Sequence, residues 1–142
     1  QYFGNLVTLS SWTDIWVNEG FATLLETDFH PKSTFDRHMK FSSYHALPIH
    51  SYGMYASSID IENSFIVHSR IHYQKAAQFL RMIRKFVGET VFDRAIHKYL
   101  LDNSYGNGDA PKIIRYLLDA YEGDREQLKK ILLEWIYQVV LL

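Results

Sequence analysis

Apolar residues recur at helical spacing through the second half of this chain, and that pattern constrains its fold more than any other feature of the sequence. The first apolar stripe falls at positions i, i+3, i+4 and i+7 and consists of Phe79, Met82, Ile83 and Phe86. Such a stripe is typical of one face of an amphipathic helix. We expect this helix to start near Tyr73 and to end at Gly88, because glycine commonly follows the last turn of a helix.

Three further stripes follow, each bounded by turn-forming residues. They consist of Phe92, Ala95, Ile96, Tyr99 and Leu100; of Ile113, Ile114, Leu117, Leu118 and Tyr121; and of Leu128, Ile131, Leu132, Trp135 and Ile136. Turns at residues 103–108 and 122–124 separate them. Asp109 should cap the second of these helices, with Pro111 in its first turn. The sequence therefore predicts an antiparallel array of helices joined by short turns.

The first third of the chain is predicted to be helical with one interruption. A first helix should start at Thr13 or Asp14, either of which can cap it, and should run to about Thr27. A second helix should open at Ser33-Thr34. Residues 46–58 lose the periodicity and are predicted to be a loop.

Charge, cysteine content and hydropathy exclude several classes of protein. The 142 residues carry 15 basic and 16 acidic side chains, which argues against a nucleic-acid binder with a broad basic face. The chain has no cysteine, which excludes a disulfide scaffold, a thiolate metal site and a cysteine nucleophile. No apolar run approaches the roughly 20 residues of a membrane-spanning helix. Because the sequence starts with Gln1 rather than methionine, we expect it to be part of a longer chain.

One carboxylate in the first predicted helix has an unusual setting. Glu19 lies among Trp12, Trp16 and Phe21 and directly before Gly20. A carboxylate among aromatic rings is costly unless it is paired, hydrogen-bonded or bound to a cation. Glycine in a helix costs about 1 kcal/mol relative to alanine, so another element is expected to approach closely at Gly20. These residues alone leave open whether Glu19 faces solvent, pairs with a surface cation or binds a metal.

Two segments around Glu19 closely resemble segments of a known protein family. Residues 1–8 read QYFGNLVT and residues 16–22 read WVNEGFA. Both resemble segments of the gluzincins known as the membrane alanyl aminopeptidase family. In that family a His-Glu-x-x-His helix precedes the first segment, and the glutamate of the second segment is the third zinc ligand. The resemblance implies that Glu19 is this ligand and that residues 1–18 fill the interval after the second histidine.

A further segment resembles the part of the family that stabilises the oxyanion. Residues 72–77 read HYQKAA and resemble the family's Ser-Tyr-x-Lys-Gly-Ala element, in which the tyrosine hydroxyl stabilises a tetrahedral oxyanion. By position, Tyr73 takes that role. Ala76 stands where the family has glycine, which tightens the space at the start of this helix. Residues 88–92 and 105–107 also resemble family segments.

The resemblance implies an all-α chain, the helical C-terminal portion of a thermolysin-like zincin catalytic domain. It divides the chain into a third-zinc-ligand segment at 1–29, a helix and loop region at 30–72, and a helical array at 73–142 that starts at the oxyanion tyrosine. The whole protein would be a zinc-dependent aminopeptidase that removes N-terminal residues from peptides by means of a metal-activated water. It would hold one Zn²⁺, take peptides with a free N-terminus as substrates, and bind no nucleic acid.

The same resemblance implies that this chain is only part of an active site. Both histidine ligands and the general-base glutamate belong to the His-Glu-x-x-His helix, and the segment that holds the substrate's amino group also lies upstream. The chain's main partner is therefore the missing upstream part of the same catalytic domain, and the chain alone is expected to be inactive. Relatives of this kind are often type II membrane proteins, so we expect a membrane-anchored whole protein, with cytoplasmic and secreted forms as alternatives.

Three other polar residues are candidates for roles near a metal. Glu26 lies two turns after Glu19 on nearly the same helical face and could hydrogen-bond a histidine ligand; the alternative is an exposed glutamate. His68 and His72 stand at i and i+4, the spacing that zinc helices use. We interpret both as satisfied or surface histidines, because Ser69 cannot act as the base that follows the first histidine of a zincin.

Two other classes of function remain open from the sequence. A catalytically dead or truncated relative would act as a helical interaction module, and a longer transcript that encodes the two zinc histidines would count against it. An unrelated helical metal-binding protein would use His68, His72 and Glu62, and an effect of His68→Ala on metal uptake would favour it.

Overall fold

The computed structural model describes residues 1–29, 54 and 70–137. These residues form two short strands and five α-helices: β1 (Val7–Leu9), α1 (Ile15–Phe29), α2 (Ala76–Val87), α3 (Glu89–Asp102), β2 (Gly106–Gly108), α4 (Ala110–Ala120) and α5 (Arg125–Tyr137). A 3₁₀ turn, Trp12–Asp14, leads into α1, and a π-helical turn, Arg70–Lys75, leads into α2. The predicted helical architecture is confirmed. The predicted second helix and the predicted loop lie outside the described residues, except for Met54, which is buried.

A single apolar core joins these helices. Its largest fully buried side chains are Trp16, Phe21, Met54, Phe79, Leu80, Ile83, Tyr99, Ile113, Leu117, Leu128, Leu132 and Ile136. Helix α1 packs along α2 and the π-helical turn, α3 packs on α2 and α4, and α4 packs on α5. Within residues 1–29 and 70–137, none of the helices combines the length and the hydropathy needed to cross a bilayer.

The apolar stripe predicted for α2 from the sequence does not coincide with the face of α2 that is buried in the structure. Phe79 and Ile83 are fully buried as predicted, whereas Met82 and Phe86 are 37% and 39% exposed. Leu80 takes a core position instead. The reason is that α2 packs against both α1 and α3, so its buried face is set by the direction of these two neighbours rather than by the most hydrophobic stripe.

The ends of two predicted helices are confirmed. Helix α2 ends at Val87, directly before Gly88. Asp109 caps α4, since its Oδ1 accepts a hydrogen bond from the Lys112 amide at 2.9 Å, and Pro111 lies in the first turn. Both signals are local, because a cap and a helix-ending glycine act within a few residues.

The predicted cap of the first helix is wrong. A 3₁₀ turn precedes α1, and Ser11 caps that turn by accepting a hydrogen bond from the Thr13 amide at 3.3 Å. Asp14 instead turns inward and is buried, and its Oδ2 accepts from the Ala110 amide at 3.2 Å. The side chain expected to cap α1 therefore binds the start of α4.

A short parallel strand pair fixes the chain ahead of α1, and the sequence did not predict it. Strand β1 pairs with β2, where a simple turn was expected. A Cβ at Gly108 would lie 1.8 Å from the Tyr99 hydroxyl oxygen, so only glycine fits this position of β2. Phe3 stacks on Phe21 of α1 with ring centres 4.4 Å apart. The segment before α1 is thus held against both α1 and the α3–α4 connection.

An arginine clamp holds the other end of α1. The Arg84 guanidinium of α2 lies 2.9 Å from the Asp28 carboxylate of α1 and 3.0 Å from the Asp93 carboxylate of α3. Charge-assisted hydrogen bonds of this kind are stronger than neutral ones. The clamp and the strand pair together fix the position of α1.

The burial of Asp14 predicts a pH-dependent effect of Asp14→Asn on stability. Burial raises the pKa of Asp14 above its ordinary value of 3.8, although the Ala110 amide opposes this. The folded chain thus binds this proton more tightly than the unfolded chain. Protonation of Asp14 therefore adds to the free energy of unfolding below pH 3.8, and this added stability is lost as the pH rises through the raised pKa. Relative to Asp14→Asn, the wild type should therefore lose stability as the pH rises toward neutrality.

Urea unfolding of both proteins across this pH range measures the effect. Asp119→Asn, on the exposed side of α4, is the matched control for the chemical change itself. A wild-type minus Asp14→Asn difference that stays constant with pH would contradict the prediction.

Candidate active site

Helix α1 places Glu19 at the border between its buried and its exposed face. Trp16, Val17, Gly20 and Phe21 are buried, whereas Glu19 is partly exposed. Of its aromatic neighbours in the sequence, Trp16 and Phe21 pack into the core, whereas Trp12 is 72% exposed. The glutamate backbone is fixed by that packing, while its carboxylate is accessible to a ligand.

Tyr73 lies in the π-helical turn, directly before α2. π-Helical turns are rare and occur frequently at functional sites. This turn packs against α1, and the Tyr73 side chain is 42% exposed. The tyrosine is therefore open to solvent on the side of the molecule where α1 carries Glu19.

The structure brings these two predicted site residues together. The Glu19 carboxylate lies close enough to the Tyr73 hydroxyl to act on its proton. Burial raises the pKa of Tyr73, and the charge of Glu19 raises it further. The phenol therefore keeps its proton at neutral pH and remains a hydrogen-bond donor.

Lys75, two residues after Tyr73 in the sequence, is a further candidate, and the sequence analysis included it only as part of a motif. Its Nζ lies 5.8 Å from the centre of the Trp135 ring in α5, a cation–π distance. Burial lowers the pKa of Lys75. The signal that could have indicated it is its place in the Tyr-x-Lys element, two residues after Tyr73.

Of the remaining candidates, the structure describes Glu26 and His72. Glu26 is exposed on α1, and none of the hydrogen bonds or ion pairs found among the described residues involves it. His72 is buried and has an interaction partner, as expected of a satisfied histidine. His68 and Glu62 lie outside the described residues, so the structure does not test the alternative set of His68, His72 and Glu62.

The Glu19 carboxylate is suited to be one ligand of a zinc site. Carboxylate oxygen is an ordinary zinc ligand, and an ionised carboxylate has several lone pairs to offer. Within residues 1–29, 54 and 70–137, no three histidine or acidic side chains converge on a point where a metal could bind. A catalytic zinc needs three protein ligands, so Glu19 fits as one of them and the described residues do not complete the site.

Two buried polar atoms, in residues next to Glu19 and Tyr73 in the sequence, lack hydrogen-bond partners among the described residues. Asn18 Oδ1 and Gln74 Oε1, which neighbour Glu19 and Tyr73 in sequence, accept no hydrogen bond from the described part of the chain. Buried polar atoms in native proteins are almost always satisfied. These two oxygens can therefore accept hydrogen bonds from groups outside the described residues.

Comparison with known proteins identifies the family. Residues 1–135 match the Peptidase family M1 domain. The chain is 31% identical over 140 residues to mitochondrial aminopeptidase 2 of Saccharomyces cerevisiae, 32% over 147 residues to leucyl aminopeptidase of Saccharolobus solfataricus, and 34% over 158 residues to aminopeptidase Q of Felis catus. This chain belongs to peptidase family M1. The family predicted from the segments around Glu19 and Tyr73 is confirmed, and an unrelated helical metal protein is excluded.

The fold agrees with solved structures of the family. A mutant M1 zinc metallopeptidase from Deinococcus radiodurans, bound to a Tyr-Ser-Ala substrate, matches 99% of this chain with a TM-score of 0.73 and 20% identity. The same mutant in a second structure gives a TM-score of 0.75 and 19% identity. At these identities the likeness shows the fold alone.

The chain covers a minor part of these relatives. The alignments with the three named relatives cover 92%, 96% and 97% of this chain. They cover only 15%, 18% and 16% of the relatives' own lengths. It spans 31% of the first solved structure. The names of the relatives also differ in compartment, since one is mitochondrial and another is endoplasmic reticulum aminopeptidase 1 of Rattus norvegicus. Membership of the family therefore assigns no compartment.

Proposed function

We propose that this chain is the part of a zinc aminopeptidase catalytic domain that supplies one metal ligand and one oxyanion donor. The observation that supports this most directly is the proximity of the Tyr73 hydroxyl to the Glu19 carboxylate, two groups that are far apart in the sequence. Two separate family-like segments single out these residues, and the folded chain joins them. Membership of peptidase family M1 supports the class of reaction.

In this proposal Glu19 is the only zinc ligand contributed by the chain. A catalytic zinc would supply a Lewis acid and make a water nucleophilic at neutral pH. The two histidine ligands and the general-base glutamate would come from a His-Glu-x-x-His helix in the rest of the catalytic domain. Glu26 would hydrogen-bond one of these histidines, and the zinc affinity of a Glu26→Ala variant tests that role.

Tyr73 would act on the substrate rather than on the metal. Its hydroxyl would donate a hydrogen bond to the carbonyl oxygen of the scissile peptide bond as negative charge develops there. A tyrosine phenol is protonated at neutral pH, so its hydroxyl can donate this hydrogen bond. The exposed side of the ring leaves room for a peptide to approach the hydroxyl.

The proposal extends to the substrates, the parts of the chain and the location of the whole protein. The substrates are peptides with a free N-terminus, whose amino group is held by another part of the catalytic domain. The chain keeps its proposed division into a zinc-ligand segment at 1–29, a region at 30–72 and a helical array at 73–142. For the whole protein we propose a type II membrane anchor upstream of this segment, and membrane fractionation of the native protein tests it.

Comparison of the isolated chain with the intact protein tests the proposed function. We expect the isolated chain to bind no zinc tightly and to hydrolyse nothing, because one carboxylate is far short of a zinc site. The intact protein should hydrolyse aminoacyl amides, lose this activity to a chelator and regain it with zinc. Titration calorimetry and a chromogenic aminoacyl amide provide the two measurements. Submicromolar zinc affinity or chelator-sensitive turnover in the isolated chain would contradict the assignment of the other ligands to the rest of the protein.

A further inference from the structure

Helix α1 and the start of α2 approach each other closely at a glycine–alanine contact. A Cβ built on Gly20 would lie 2.7 Å from the Ala76 Cβ, 3.3 Å from the Ala76 carbonyl carbon and 3.3 Å from Leu80 Cδ1. Carbon atoms in contact prefer a separation of about 3.5 to 4.0 Å. The Ala76 methyl group therefore rests directly on the backbone of Gly20, and α1 has no room for a side chain there.

This contact lies beside the Glu19–Tyr73 pair on both elements. Gly20 directly follows Glu19, and Ala76 follows Tyr73 by about one helical turn. We propose that the Ala76 methyl group, seated on Gly20, sets the separation between the Glu19 carboxylate and the Tyr73 hydroxyl. Gly20 and Ala76 are then positioning residues for the reaction, an inference that rests on the proposed function.

The size of the steric conflict sets the expected effect. In a Gly20→Ala variant the two methyl carbons must separate by about 1 Å to reach an ordinary contact distance. A displacement of about 1 Å at a catalytic group can cost about a hundredfold in rate. We therefore expect Gly20→Ala in the intact protein to lower kcat about 10- to 100-fold.

A methyl swap separates this positioning effect from a general loss of packing. The double variant Gly20→Ala with Ala76→Gly moves the single methyl group from α2 to α1. It removes the 2.7 Å conflict between two Cβ atoms and leaves only the two contacts at 3.3 Å, with the carbonyl carbon of residue 76 and with Leu80 Cδ1. We expect the swap to restore kcat to within about threefold of the wild type. Ala77→Gly is the matched control, because Ala77 is also buried in α2 but is not among the three atoms nearest to the Gly20 position. It should change stability without changing kcat.

The Tyr73 hydroxyl provides a second, purely functional readout. If Gly20→Ala acts by displacing this hydroxyl, its effect on kcat should shrink to less than about twofold in a Tyr73→Phe background. Zinc content and KM should stay close to those of the wild type in both backgrounds. An equal effect of Gly20→Ala with and without the hydroxyl would show a structural role only and would overturn the inference.

The outcomes distinguish the inference from the proposed function. An intact protein with no chelator-sensitive hydrolysis overturns both. An active protein in which Gly20→Ala keeps full kcat overturns the inference alone. If Gly20→Ala fails to fold, the double variant is compared instead with Ala76→Gly, which adds no atoms. A kcat of the double variant that is no higher than the kcat of Ala76→Gly would then overturn the inference.

Discussion

Replacing Glu19 with alanine should abolish zinc binding and chelator-sensitive hydrolysis in the intact protein. The physical reason is that a catalytic zinc has three protein ligands and keeps its fourth position for water, so loss of one ligand leaves the metal only two. The partial exposure of Glu19 means that its removal leaves no large cavity in the core. Zinc content by atomic absorption and turnover of an aminoacyl amide are the two measurements.

The controls for this variant use the chain's own carboxylates. Glu122→Ala removes an exposed glutamate in the turn between α4 and α5 and should leave both zinc content and turnover unchanged. Glu19→Asp keeps a carboxylate but shortens it, and we expect it to retain part of the zinc. Undiminished zinc in the Glu19→Ala variant would remove Glu19 from the ligands.

The Tyr73→Phe variant should lose most of its rate while keeping its metal. Removing a single oxyanion donor typically lowers kcat by about 10²- to 10³-fold. Zinc content should be unchanged, because the Tyr73 hydroxyl is not one of the proposed zinc ligands and only lies beside the Glu19 carboxylate. KM should change little, because the interaction is made chiefly as charge develops on the substrate. Steady-state kinetics on the zinc-loaded protein separates these parameters.

Tyr105→Phe is the matched control, because Tyr105 is 90% exposed and lies outside the pair. It removes a hydroxyl of the same kind and should leave kcat unchanged. A Tyr73→Phe variant with a kcat within about threefold of the wild type would show that this hydroxyl is not the oxyanion donor. A variant that instead loses its zinc would indicate that the hydroxyl serves to orient Glu19.

The helical part of the fold was predictable because its signals are local. The stripe that contains Phe79 and Ile83 predicted α2, and Gly88 predicted its end. Asp109 and Pro111 predicted the start of α4 in the same way. A cap, a helix-ending glycine and a repeat of apolar residues all act over one or two turns, so a single sequence is sufficient to detect them.

Features that depend on a distant partner were not predictable. Strands β1 and β2 are three residues each, too short to show an alternating pattern, and they exist only because they pair with each other. Asp14 looks like a helix cap in the sequence, but the buried amide of Ala110 takes its side chain. Met82 belongs to the apolar stripe of α2, but the packing of α2 between two helices leaves it partly exposed.

The candidate site shows the same division. The sequence by itself determined the helices, the family and the two residues proposed to act, Glu19 and Tyr73, because residue type and spacing along the chain carry that information. Only the tertiary structure decided that the two residues meet, that Tyr73 stands in a π-helical turn, and that Gly20 and Ala76 form the contact beside them. The reason is physical: a separation between residues far apart in the chain depends on how closely two helices pack, and no local pattern of side chains encodes that distance.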